Sequence, residues 1–202
     1  MTGETISYRS HEPTLRVSTL QLLDRHHIDY SRWGLGGSKT VDPLIEELQQ
    51  RESVLELGDD GELVRRVDGV GVDVFATVAG QRYRLVEDRQ EYSIDGTARQ
   101  RNFSTSLGEK MRAGEEPLDV MVRALQEELS IDVDASAFHV GDTTRARVPS
   151  EAFPGLVTDR GLTYGAVMVD ESDFVPSGYS EVQPTKTVYF VWEPVDIGMV
   201  HH

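Results

Sequence analysis

The sequence predicts an α+β fold: a mixed β-sheet with one principal helix packed on a face, preceded by a small helical N-terminal extension. Two observations carry this expectation. From 53 to 104, short apolar-rich runs alternate with tight-turn signals, the pattern of an antiparallel meander. A single amphipathic helix, about Glu116–Ser130, comes next, and more strand-like runs follow it. That order lacks the βαβ alternation of a doubly wound sheet.

The N-terminal part comes first. MTGETISYRSHEPT is polar and reads as a partly disordered tail without the apolar centre of a signal peptide. TLRVSTLQLLDRHH places Leu15, Leu20, Leu22 and Leu23 at helical spacing, which predicts a helix over 14–27. RWGLGGSKT resembles a phosphate loop only loosely. Ser38 stands where a glycine should precede the lysine, and no strand leads into it, so it reads as a turn with Trp33 anchored in a core. VDPLIEELQQ predicts a second helix over about 42–51, with Pro43 in its first turn.

The meander begins with SVLEL and ELVRRV around GDDG. GVGVDVFATV and RYRLVEDRQEY flank AGQ, and TARQRNF follows an Asp-Gly turn. Beyond the central helix, strands are expected near 137–141, 144–148 and 162–170. The most strand-like run is TVYFVWEP at 187–194, rich in β-branched and aromatic residues. SEAFPGLVTDRG and ESDFVPSGYSEVQPTK read as loops, the second long enough to line a pocket. This divides the chain into an extension over 1–65 and a domain over 66–200.

Composition bounds function. The 202 residues are 38% hydrophobic, enough for a proper core, and no apolar run approaches the ~20 residues of a membrane span. There is no cysteine, which excludes disulfides, thiolate catalysis and zinc–sulfur sites. A cytoplasmic location is the expectation. The net charge of −15, from 35 acidic and 20 basic residues, would repel a polyanion, so no nucleic-acid partner is expected. A small phosphorylated ligand stays compatible if divalent cations bridge it to carboxylates.

The chemistry is concentrated in GEKMRAGEEPLDVMVRALQEELSI, residues 108–131. Acidic residues near its helix start and Pro117 suit a first turn. At about 100° per residue, Leu118, Val122, Leu125 and Leu129 form one stripe, the expected core face. Glu127 and Glu128 are then expected to project away from it, with Ala124 between them in angle. Arg123, four residues before Glu127, can pair with it. Outer-face acids are usually just solvated, but a glycine-bearing loop upstream could add backbone carbonyls, good ligands for hard cations.

These residues resemble the Nudix hydrolase signature, G-x5-E-x7-R-E-U-x-E-E-x-G-U, where U is aliphatic. Without a gap, it places its first glutamate on Glu115, its arginine on Arg123, its paired glutamates on Glu127 and Glu128, and its last aliphatic on Ile131. Three positions depart: Glu109 for the opening glycine, Ala124 for the glutamate after arginine, and Ser130 for the late glycine. The resemblance implies a Nudix-like α/β/α sandwich. It also implies a Mg²⁺- or Mn²⁺-dependent hydrolase that cleaves a phosphoanhydride in a nucleoside diphosphate joined to another group. The implied catalytic residues are Glu127, Glu128 and Arg123. The implied ligands are Glu127 and Glu128 supplemented by Glu109 and Glu181, with Glu171 weaker and Glu115 structural. Because the family uses a glutamate at the position of Ala124, a catalytically silent nucleotide- or protein-binding module is the rival reading. Arg82, Arg84 and Arg89 are candidates for substrate phosphates, and Tyr83 or Tyr164 for stacking on a base. A homodimer is also compatible with the family.

Overall fold

Alternating hydrophobicity after residue 53 becomes strands, and helical spacing before it becomes helices. The computed structural model describes residues 12–100 and 104–195. The polar tail expected at 1–14 falls almost wholly outside the described residues, as do 101–103 of the expected run TARQRNF and residues 196–202.

In chain order the elements are helices α1 (Glu12–Arg25) and α2 (Val41–Gln49), strands β1 (Val54–Leu57), β2 (Leu63–Val78), β3 (Gln81–Tyr92), β4 (Ala98–Arg99) and β5 (Leu107–Lys110), and helix α3 (Pro117–Ala124). A π-helical turn, Leu125–Leu129, prolongs α3. Strands β6 (Phe138–Pro149), β7 (Val157–Met168), β8 (Tyr179–Gln183) and β9 (Lys186–Pro194) complete the sheet, whose main order is β6-β7-β2-β3-β9-β8. The class is the expected α+β with a mixed sheet.

Three expectations change in detail. ELVRRV and GVGVDVFATV form one strand, β2, because Asp68 and Gly69 continue the extended backbone. The runs at 137–141 and 144–148 likewise merge into β6. The expected loop 171–186 contains β8, which pairs antiparallel with β9 around a short turn (Val182 opposite Thr187). YSEVQ alternates half-buried and exposed side chains, the period-2 signature hidden there by flanking Pro and Gly.

The chain forms two compact units from interleaved stretches. The first holds the described residues up to Gly69, with Lys110–Glu115 and Thr143–Leu162. The second holds Val70–Glu109, Glu116–Asp142 and the described residues from Thr163 onward.

In the first unit, Leu15, Leu22 and Leu23 of α1 and Leu44, Ile45 and Leu48 of α2 share a core with Leu55, Leu63, Phe153 and Leu156. Trp33 completes it. Its ring lies 5.1 Å from Phe153, and its indole N–H donates to the Pro154 carbonyl at 2.9 Å. The glycine-rich stretch is thus a turn pinned by tryptophan, and Lys39 is held by Glu47 at 3.2 Å. Glu47 is 4% exposed and also meets Arg65 and Lys110. Burial alone would raise its pKa. Arg65 and Lys110 override this and hold it below the ordinary carboxylate range.

In the second unit, Val72, Val74, Ala76, Leu85, Val188 and Phe190 of the sheet and Val120, Met121, Ala124, Leu125 and Leu129 of the helix are all buried. Gly165 of β7 makes room for the helix: a Cβ there would stand 2.5 Å from the Met121 sulfur.

Candidate functional site

The central helix is turned from the expected phase. Leu125 and Leu129 are buried as expected, but Leu118 and Val122 are only half-buried, and Val120, Met121 and Ala124 take the deep positions. Two features explain this. Alanine at 124 is small enough to sit inward, 1% exposed. After it, the π turn widens the helix, with Ser130 N–H donating to the Leu125 and Gln126 carbonyls. Glu128, one turn beyond Ala124, follows it toward the sheet. The expectation that both glutamates face outward is therefore corrected: Glu127 is exposed and Glu128 is half-buried.

Sheet register shows what Glu128 meets. Cross-strand partners share a face. Glu87 of β3 stands opposite Phe190, and Phe190 opposite Tyr179. One step along, Gln90 stands opposite Val188, and Val188 opposite Glu181. A register shift between Glu87 and Arg89 makes these rows coincide. Glu87 and Glu181 thus share the sheet face that buries Leu85 and Phe190, and β8 packs against the π turn. Glu181 lies on a strand, not the expected loop.

The electrostatics follow. Burial pushes the Glu128 carboxyl up to about 8, and Glu181, Glu109, Glu87 and Glu127 push the same way by repulsion. Arg123 counters part of this charge from the rim, reaching Glu109 at 3.4 Å and Glu127 at 3.5 Å. Glu109, Glu127 and Glu181, with Glu87, therefore lie within electrostatic reach of Glu128. Glu87 was not among the residues expected from the sequence, because it lies in a strand run, RYRLVEDRQ, marked by its arginines. Its signal was a carboxylate two residues from the buried Leu85, on the apolar face of a strand.

These donors are all carboxylate oxygens, the chemistry hard divalent cations prefer. Among the described residues, however, no three carboxylate or imidazole side chains are arranged to hold a metal ion. The donor chemistry fits such a cation; the side chains are not drawn together as a ligand set.

The expected substrate residues lie elsewhere on the strands. Arg84 donates to Asp73 at 2.7 and 2.9 Å. Arg89 pairs with Asp88 and Glu91 and lies 4.0 Å from the Tyr189 ring centre. Arg82 covers the Phe75 ring at 4.3 Å. Tyr83 packs 5.2 Å from Phe174, which stacks on Trp192. Tyr164 is 39% exposed. Tyr83 shares the face of Leu85 and Glu87 on the same strand. Glu115 accepts the Arg112 backbone N–H at 2.7 Å and closes the Arg112–Glu115 turn, in which Gly114 has φ +92°.

No protein-family model matches the chain, and no curated protein matches it. Solved structures similar to it include C. elegans Ap4A hydrolase, at 12% identity over 62% of this chain and 77% of that one, with a TM-score of 0.36. The NUDIX domain of Shewanella oneidensis NrtR, crystallised with ADP ribose, matches at 11% identity over 64% and 73%, TM-score 0.37. A T. brucei MERS1–RNA complex matches at 14% over 87% and 70%, TM-score 0.40. Nudix proteins are thus among the structures similar to this chain. No helix among the described residues is long and apolar enough to cross a membrane.

Proposed function

We propose that this chain is a Nudix-type hydrolase with a rearranged metal site, acting on a phosphoanhydride bond in a nucleoside diphosphate joined to another group. The observation that carries this reading is the convergence of Glu87, Glu109, Glu127 and Glu181 on the electrostatics of one half-buried carboxyl, Glu128. Mutual repulsion of this kind is relieved by a cation, and it has little use in a purely structural helix. Glu127, Glu128, Glu109 and Glu181 would hold Mg²⁺ or Mn²⁺, with Glu87 beside them. The ion would neutralise charge on phosphate oxygens and lower the pKa of a bound water. The chain's own part is to hold the carboxylates: Arg123 ties Glu109 of β5 to Glu127 of the π turn. Glu128 keeps its proton at neutral pH until a positive charge displaces it.

A silent nucleotide-binding relative is the second reading, favoured by the apolar burial of Ala124 where the signature has a carboxylate. The purified chain should be tested with Mg²⁺ or Mn²⁺ against nucleoside triphosphates, ADP-ribose, NADH, dinucleoside polyphosphates and sugar nucleotides. Turnover abolished by Glu128→Gln supports the hydrolase. A nucleotide that raises the melting temperature yet is never turned over supports the silent binder.

A further inference from the structure

The first unit contains a cavity of about 100 Å³, lined by residues 51–54 after α2, by Arg66 and Asp68 of β2, and by the turn 111–115. Three arginines, Arg51, Arg66 and Arg112, are among its lining residues, beside Glu52, Asp68 and Glu115, in a chain with a net charge of −15. The carboxylates around it are largely committed. Glu52 pairs with Lys110 at 3.1 Å, Asp68 with Arg145 at 2.9 Å, and Glu115 caps the Arg112 backbone N–H at 2.7 Å. Arg66 bridges Glu56 at 3.5 Å and Asp68 at 3.7 Å, both loose contacts. Arg112 is 54% exposed and stands 4.0 Å from Glu115, the outer limit of an ion pair.

Arg51 stands apart from these. It donates to the Ala113 carbonyl at 2.8 Å, while Ala113 N–H donates back to the Arg51 carbonyl, so the side chain is fixed beside the turn. Among the described residues no carboxylate lies within ion-pair distance of its guanidinium. The cavity is therefore lined by one arginine without a carboxylate partner among the described residues and by two loosely paired ones, with room for several waters or one tetrahedral ion.

We propose that this cavity binds a tetrahedral oxyanion of the phosphate class. Guanidinium forks match phosphate oxygens two N–H groups at a time, and three arginines lining a small volume suit four oxygens better than the two of a carboxylate. Overall acidity keeps polyanions away. The ion can be free phosphate or the terminal phosphate of a nucleotide, since both present the same oxygens. The site is independent of the hydrolase reading: its residues belong to the first unit, and its binding requires no metal.

The test uses the full chain in EDTA, at ionic strength held constant with chloride. Sodium phosphate and adenosine monophosphate are titrated by calorimetry, and the arginine Nε–H signals are followed by NMR. Saturable one-to-one binding of phosphate is expected, with shifts at Arg51 and Arg112. Arg51→Gln and Arg112→Gln should each weaken it about tenfold or more. If Arg51→Gln loses the tie to Ala113 and unfolds, Arg112→Gln, whose side chain is half in water, decides alone. Equal affinity for phosphate and adenosine monophosphate marks the free ion as the ligand, and tighter binding of the nucleotide marks its phosphate. Heat and shifts no larger than those chloride produces, or binding untouched by Arg112→Gln, overturn the proposal.

Discussion

Replacing Glu128 with glutamine should stabilise the metal-free protein at neutral and alkaline pH. Burial and four neighbouring acids raise this carboxyl from 4.5 to about 8. The folded state therefore holds a proton that the unfolded chain releases at about 4.5. Between those values the folded state binds more protons, so stability falls as pH rises. The group's contribution is fully present below 4.5, declines through the interval, and is gone above 8. At pH 7 the penalty on the wild type is on the order of 3 kcal/mol, an upper figure because Glu128 keeps part of its surface in water. Glutamine keeps the shape and the neutral hydrogen-bonding of the protonated acid and never ionises.

The assay is unfolding by heat or urea at pH 5, 7 and 8.5, in EDTA, for both proteins. The curves should nearly coincide at pH 5 and separate upward. For a chain of this length the gap at pH 7 should approach about 6–12 °C. Millimolar Mn²⁺ should then raise the wild type at pH 8.5 and leave Glu128→Gln almost unmoved, because only the carboxylate gains from the cation. Parallel pH profiles for the two proteins would refute the reasoning, since Glu128 would then titrate as though in water. The charged groups that set this behaviour are Glu87, Glu109, Glu127 and Glu181, with Arg123 opposing them.

Four other substitutions probe separate parts of the structure. Glu47→Gln leaves Arg65, 7% exposed, without its carboxylate and should cost about 3–5 kcal/mol at pH 7, read by urea unfolding; because Glu47 titrates low, the loss should shrink toward acid pH. Ser130→Gly should stabilise by about 0.5–1 kcal/mol, since Ser130 ends the π turn at φ +58°, where glycine carries no steric strain; a lower melting temperature would count against it. Gly178→Ala should cost about 3 kcal/mol or more, because its φ is +77° and a Cβ would stand 1.9 Å from the Phe190 carbonyl oxygen; a change of under a degree or two would show that β8 can slide. Ala124→Glu should destabilise the metal-free chain by about 2 kcal/mol or more by burying a charge beside Glu128, and Mn²⁺ should restore part of the loss, while an unaltered melting temperature would place residue 124 in water.

Much of the architecture was legible because its physics is local. The Gly-Asp-Asp-Gly turn between β1 and β2, the apolar alternation of TVYFVWEP and Pro117 at a helix start each act within a few residues. The site was legible only in part, for a reason equally physical. Arg123 and Glu127 lie one helical turn apart, so their pairing follows from sequence spacing. Whether Glu128 points at water or at the sheet depends on the helix phase, which a π turn and one small residue decide. Neither leaves a periodic trace. Glu87 comes within range of Glu128 through register across three strands and a bulge, contacts distant in sequence.

Ala124 looks like a subtraction when the signature is read along the chain, and like an exchange when it is read in space. A glutamate there would sit beneath Glu128 in a position 1% exposed, where a second charge is expensive without a cation. Alanine lets the helix settle on the sheet and carries Glu128 inward with it. The carboxylates that surround Glu128 then come from β3, β5 and β8 as well as from the π turn, so the charge is spread over elements fixed by strand pairing. An arrangement supplied by a single helix face tolerates movement of that helix as a whole. One supplied by four elements does not: displacing β8 by a single residue would turn Glu181 to the opposite face and remove the largest of the repulsions on Glu128. The integrity of the β8–β9 hairpin, rather than of the signature helix alone, is thus what the acidic character of this site depends on.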